Sequence, residues 1–206
     1  MQQKLLIPIR RNFSVYLAIV CALMFGQGCK EAIDSDAQTG IVTAPDDVPI
    51  HYSICGAGSP ALVFVHGISC DQSYWKEQVA PFSREFRVVT LDLAGHGESG
   101  LGRQEWSMEA YGGDVAAVVE GLDLKSVVLI GHSMGGAVIL KAARRLSGRV
   151  RGLVVVDTYE DFSKWFTAEE NEEFLEPFRE NFDQATDAWI RSMFRDDADP
   201  ALVEQI

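Results

Sequence analysis

Between Ser126 and Leu146 the chain passes from a short branched run, Ser126-Val127-Val128-Leu129-Ile130, through Gly131-His132-Ser133-Met134-Gly135-Gly136, into a segment of helical period, Ala137 to Leu146. An apolar strand that turns at once into a helix belongs to a parallel sheet buried on both faces, so this stretch constrains the architecture more than any other. Such a turn forces its middle residue into a strained backbone conformation. Glycines at 131 and 135 remove the side chains that would collide with strand and helix. Ser133 is then raised at the edge of the sheet, and the Met134 N–H, at the helix N-terminus, stays free to hold a developing oxyanion. In this setting G-x-S-x-G points to a serine nucleophile; the alternative is a plain turn built of small residues.

Two further motifs follow apolar runs of the same kind. His66-Gly67 comes after Ala61-Leu62-Val63-Phe64-Val65, with Trp75 eight residues beyond Gly67, and Asp92-Leu93-Ala94-Gly95-His96-Gly97-Glu98-Ser99 comes after Phe86-Arg87-Val88-Val89-Thr90-Leu91. With the three motifs in this order, the chain resembles the α/β-hydrolase superfamily over about residues 40 to 206, most closely its lipase, esterase and non-haem haloperoxidase-like branch. The resemblance implies an α/β-hydrolase fold, in which a mostly parallel sheet carries helices on both faces and a helical cap follows the sixth strand. It also implies a second oxyanion donor, the backbone N–H of Ile68. His66 and His96 are implied to hold loops beside the site, and Asp92 to brace a loop rather than act as the catalytic acid. His132, adjacent to Ser133 at the turn, directs its side chain away from the nucleophile's and is a poor base. Asp157, at the end of the sixth strand, is a candidate acid.

The order of the implied triad is Ser, then Asp or Glu, then His. No histidine follows His132 in the sequence. The last two strands of the fold, whose ends would carry the acid and the histidine, are not found. The expectation is therefore a chain lacking on the order of 60 to 100 C-terminal residues, inert as it stands. Asp199-Pro200, in the form of an N-cap followed by proline at the first helical position, starts a helix that runs only to Ile206.

The first 28 residues read as a secretory signal: Lys4, Arg10 and Arg11 precede an apolar stretch from Phe13 to Phe25, and Gly26-Gln27-Gly28 supplies a small-x-small cleavage site. That stretch is shorter than the roughly 20 residues of a membrane span. Cys29 follows directly, so the segment also resembles a lipoprotein signal, with Cys29 lipidated and the protein exported to the periplasm, attached to a membrane or secreted. Residues 29–38 read as a polar tether, 39–157 as the core and 158–206 as the start of the cap. Cys55 closes the second strand at one end of the sheet and Cys70 follows the third at the other, too far apart for a bridge that needs Cα atoms within about 7 Å. Both are expected free and inert.

The formal net charge is −12, and residues 158–206 carry fourteen acidic against four basic groups. That balance argues against a nucleic-acid partner, which rewards clustered Lys and Arg. No Cys-x-x-Cys or His-x-x-x-His spacing suggests a metal, and no cofactor is implied. In the last segment Thr167-x-x-Glu170 has the form of a capping box. Phe174, Phe178 and Phe182 are spaced to line one helix face, with Trp189, Ile190, Met193 and Phe194 on a second helix. These faces pack, and in a cap they would also meet an apolar group of a small-molecule substrate.

The leading expectation is a serine hydrolase forming an acyl-enzyme on Ser133 from a carboxylic ester. Cofactor-free perhydrolysis, peptide or lactone hydrolysis and carbon–carbon cleavage stay open on this scaffold. Serine at 133 argues against dehalogenase or epoxide-hydrolase chemistry, which the superfamily performs with aspartate. Alternatives from other classes are a non-catalytic binding protein of the same fold and a membrane-surface scaffold.

Overall fold

The structure, a computed structural model, describes residues 37–158 and 167–194, together with 198 and 200. The expected signal, Cys29 and the expected helix start at Asp199 lie outside the described residues. The chain divides into two units, Met1–Glu160 and Asp161–Ile206.

The first unit is built on a six-stranded sheet. Its strands are β1 (Gln38–Thr43), β2 (Pro49–Cys55), β3 (Ala61–Val65), β4 (Val88–Leu91), β5 (Val127–His132) and β6 (Val150–Val156), in the spatial order β1-β2-β4-β3-β5-β6. The opening hairpin is antiparallel, β2 pairs antiparallel with β4, and β4, β3, β5 and β6 run parallel. Strand β1 begins at Gln38, so the end of the segment expected as tether is already sheet.

Helix α1 (Lys76–Phe82) follows a turn of 3-10 helix at Gln72–Trp75, α2 (Met108–Gly121) joins β4 to β5, and α3 (Met134–Arg145) joins β5 to β6. Alternate residues of each strand serve opposite faces, as the period of two requires. On one face Val63, Val65, Leu91 and Leu129 pack with Val115, Val119, Val138 and Ile139 of α2 and α3. On the other, Leu62, Phe64, Val88 and Ile130 pack with Trp75 and Phe82. All five residues of β3 are buried, which is why that run is apolar without alternation. Cys55 pairs with the start of β4 while Cys70 lies beyond the end of β3, and both thiols are free.

The second unit contains α4 (Ala168–Glu180) and α5 (Phe182–Ser192). The Thr167 capping box forms with both of its bonds, Glu170 N–H to Thr167 Oγ1 at 3.2 Å and Thr167 N–H to Glu170 Oε2 at 2.7 Å. The three phenylalanines do not share one helix. Asn181 leaves the helical conformation and its side chain accepts from the Gln184 N–H at 3.2 Å, so a new helix starts and Phe182 belongs to α5. The spacing still brings rings together, because Phe174 and Phe178 both lie against Trp189, with centroids 5.9 and 6.0 Å away. Met193 and Phe194 fall just past the end of α5.

Candidate active site

Adjacent strands β3, β5 and β6 each lead into a non-glycine residue of positive φ: Ser69 (57°), Ser133 (50°) and Asp157 (47°). L-residues adopt that conformation at a cost of order 1–3 kcal/mol, and it persists only where the surroundings over-determine it. At Ser133 they do. Its N–H donates to the Val156 carbonyl at 3.0 Å, and its carbonyl accepts from the Gly136 N–H at 2.9 Å and the Thr158 hydroxyl at 3.0 Å. The Thr158 hydroxyl also lies 3.1 Å from the Val156 carbonyl, so the turn after β5 is laced to the end of β6.

The glycines around Ser133 have no room for a side chain. A Cβ on Gly131 would run into the Gly135 carbonyl, and one on Gly135 would sit 2.5 Å from the Val65 oxygen and 2.6 Å from that of His66. One on Gly67 would lie 3.2 Å from both Ser133 Cβ and His132 Nδ1, so the loop after β3 closely approaches Ser133. Among the described residues, no backbone or side-chain acceptor takes the N–H of Ile68 or of Met134. The first lies in the loop after β3 and the second in the first turn of α3. The structure thus brings Ser133, Gly67-Ile68 and Met134 into one cluster at the C-terminal ends of β3 and β5.

The four histidines are all accounted for. His66 is 1% exposed; its Nδ1–H donates to the Gly67 carbonyl at 2.7 Å, and its Nε2 accepts the Leu93 N–H at 3.0 Å. Burial holds it down at about 4, so the ring is neutral at neutral pH. His96 packs on it with centroids 5.0 Å apart and directs its own Nδ1 to the Ala94 carbonyl at 3.1 Å. His51 lies between Glu98 at 3.2 Å and the Gln72 side chain at 2.8 Å. The His132 ring is edge-on to Trp75, 6.5 Å between centroids, and burial lowers its pKa, with Asp157 pulling the other way. Asp157 follows β6 directly, and no hydrogen bond joins it to a histidine among the described residues.

Asp92 is a loop brace in geometry. Its buried carboxylate accepts from the Gln72 N–H at 2.8 Å, the Gln72 side-chain amide at 3.0 Å and the Glu98 N–H at 3.0 Å, and it fills the space a Cβ on Gly97 would need. Sequence reading missed the buried ion cluster behind this loop. Arg103 Nη2 donates to Asp114 Oδ1 at 2.5 Å and its Nε to Asp46 Oδ2 at 2.7 Å, while Asp114 also takes the Ala94 N–H at 3.1 Å. Asp114 is fully buried and Arg103 is 6% exposed. Burial pushes the Asp114 carboxyl up, against the pull of the guanidinium. The signals in the sequence were single charged residues, 57 and 11 positions from their partner.

Burial also raises the Cys70 thiol, which disfavours the reactive thiolate. No group of three or more His, Cys, Asp or Glu among the described residues is arranged to hold a metal. A concavity of about 490 Å³ lined in part by Pro45, Asp46, Gly113 and Arg145 opens beside α2, and none of the Ser133 cluster lines it.

The profile of the alpha/beta hydrolase family matches residues 62–205, which include the β3 loop, the Asp92 loop and the Ser133 turn. The chain belongs to the alpha/beta hydrolase family. This α/β hydrolase is 38% identical over 117 residues to a non-heme haloperoxidase of Rhodococcus erythropolis, covering 56% of its own chain and 42% of that protein. It is 42% identical over 102 residues to a bifunctional esterase/perhydrolase of Acinetobacter calcoaceticus, covering 47% of its own chain and 36% of the other. Among solved structures, a thermophilic esterase from Thermogutta terrifontis superposes with a TM-score of 0.68 at 31% identity, over 82% of this chain and 65% of that one. The chain spans less than half the length of these curated relatives.

Proposed function

We propose that the protein is a serine hydrolase acting on a small-molecule carboxylic ester. Ser133 attacks the carbonyl carbon while a general base, which is none of the four histidines, takes its proton. The N–H groups of Ile68 and Met134 hold the oxyanion, the alcohol departs with that proton, and water cleaves the acyl-enzyme to the acid and free Ser133. The observation that carries this reading is the Ser133 backbone at φ 50°, held between β5 and α3, with the N–H groups of Ile68 and Met134 unclaimed among the described residues. A free N–H pair next to a strained serine has a use in the transition state and a cost in the ground state. The relatives named as an esterase/perhydrolase and an esterase support the same chemistry.

None of the four histidines is placed as the base. His66 has both ring nitrogens engaged, His51 and His96 serve the loop after β4, and the His132 ring is packed on Trp75. That observation also favours a second reading, a protein of this fold that binds an ester without turning it over. Asp157 is proposed as the acid, and Cys29 as the lipidated first residue of an exported mature chain, which the mass of the mature N-terminus reads directly.

The test of function uses the protein expressed from its own gene. A fluorophosphonate probe is expected to label Ser133, and p-nitrophenyl acetate hydrolysis is expected to fall by several orders of magnitude in Ser133→Ala with thermal unfolding unchanged. Near-normal turnover by the alanine variant refutes the nucleophile. Saturable ester binding without labelling or turnover establishes the second reading instead.

A further inference from the structure

His66 lies one residue before the loop that approaches Ser133, and its ring is held at both ends. Nε2 accepts the Leu93 N–H at 3.0 Å, so that nitrogen is unprotonated and the hydrogen of the neutral ring is on Nδ1. Nδ1–H therefore donates, and its acceptor, 2.7 Å away, is the Gly67 carbonyl. That carbonyl belongs to the same peptide unit as the Ile68 N–H. In a planar trans peptide the two point in opposite directions, so fixing one aims the other.

We propose that His66 is a positioning residue for the oxyanion site: its bond to the Gly67 carbonyl sets the plane of the Gly67–Ile68 peptide and so the direction of the Ile68 N–H. The inference rests on the reading of Ile68 as an oxyanion donor. A clamp is needed here because Gly67 has no side chain to restrict its own torsions, and the close approach to Ser133 excludes one. Ser69, at φ 57°, marks the same loop as strained. The anchor of the clamp is rigid. Leu93 stands between Asp92, whose carboxylate gathers three N–H donors, and Ala94, whose N–H is taken by the buried Asp114. His66 itself is 1% exposed, so solvent does not compete with either bond while the ring is in place.

Two substitutions separate the halves of the clamp. His66→Asn places an amide N–H near the position of Nδ1 and keeps the bond to Gly67. His66→Gln places an acceptor near Nε2, keeps the bond to Leu93 and loses the one to Gly67. In the active protein His66→Gln is expected to lower kcat by about 10²–10³-fold with KM changed less than about twofold, the loss seen when one oxyanion donor is removed. His66→Asn is expected to retain most of the rate. Equal losses in the two variants, or the reverse order, overturn the proposal.

Ring nitrogen spectroscopy decides the matter independently of turnover. The wild-type ring is expected as the Nδ1–H tautomer, and the Ile68 amide resonance is expected to move in His66→Gln and to stay in place in His66→Asn. An Nε2–H tautomer, or an Ile68 resonance unmoved in His66→Gln, overturns the clamp even if neither variant is active. If both variants fail to fold, the wild-type tautomer alone decides. A wild-type protein with the Nδ1–H tautomer but no reactive Ser133 refutes the function proposed above and leaves the clamp standing.

Discussion

Replacing Arg103 by methionine should be among the most damaging single changes to this fold, although the residue lies outside the Ser133 cluster. Methionine keeps much of the length and apolar volume but removes both ionic partners of the guanidinium. Asp46 is left with a side chain 39% exposed, so water takes over and that half contributes little. Asp114 is 0% exposed and retains only the Ala94 N–H, so its charge stays buried and unpaired. Breaking a buried pair in this way costs about 3–5 kcal/mol. At roughly 2–4 °C per kcal/mol for a chain of this size, the midpoint should fall by on the order of 10 °C. Trp106, 5.7 Å from the Arg103 guanidinium, reports the transition of the first unit by fluorescence, checked against urea unfolding.

The sign of the pH dependence identifies the cause. Without Arg103 the Asp114 carboxyl is driven further up, so the folded state keeps a proton that the unfolded chain releases. The variant should therefore regain stability as pH falls from neutrality toward 5. Adding Asp114→Asn, which removes the charge but can still accept the Ala94 N–H, should make the double variant more stable at pH 7 than Arg103→Met alone. A loss below about 1 kcal/mol for Arg103→Met, or no recovery in the double variant, would refute the argument that a buried charge is what the arginine holds.

Gly135→Ala should destabilise by about 3 kcal/mol, because its methyl group meets two backbone carbonyls that cannot step aside; Gly102→Ala, with open space around it, is the neutral control in the same urea series. Gly67→Ala should slow fluorophosphonate labelling of Ser133 by about tenfold or more with little change in midpoint, since the added methyl displaces the loop that carries Ile68; unchanged labelling would contradict the placement. His66 should make the wild type acid-sensitive. Its pKa is held at about 4 in the fold, so between the unfolded value near 6.5 and that point the unfolded chain takes up a proton the folded one refuses. Stability is full above about pH 6.5 and falls on acidification by up to about 1.4 kcal/mol per pH unit, about 3 kcal/mol by pH 4. His66→Asn should lack that share of the slope, and an identical acid profile in the two proteins would count against it.

Much of this protein was legible in the sequence because its signals are local. A strand buried on both faces needs a short apolar run: β3 is one from end to end and β4 is broken only by Thr90, whereas β6, which is not buried, carries Arg151 and Gly152. A strand that turns directly into a helix needs small residues at fixed offsets, and Gly131 and Gly135 lie against carbonyls that leave no space for a Cβ. The capping box at Thr167 reads directly because both of its bonds close within three residues. Local period misled at Phe182, where the four-residue spacing continued across a break made by the Asn181 side chain.

What only the tertiary structure decided are the interactions between residues distant in the chain. No pattern in the sequence pairs Arg103 with Asp46 and Asp114, or sets Gln72 between His51, Thr90 and Asp92. Each of those residues is polar and, alone, reads as surface. Thr90, Asp92, Arg103 and Asp114 are interior, and the strand order β2-β4-β3 brings the end of β4, the start of β2 and the loop after β3 to one place, where every buried polar group must find its partner. The same holds for His66. Its sequence neighbour Gly67 supplies one bond, but the bond that fixes its tautomer comes from Leu93, in the loop after β4, which only the fold places beside it.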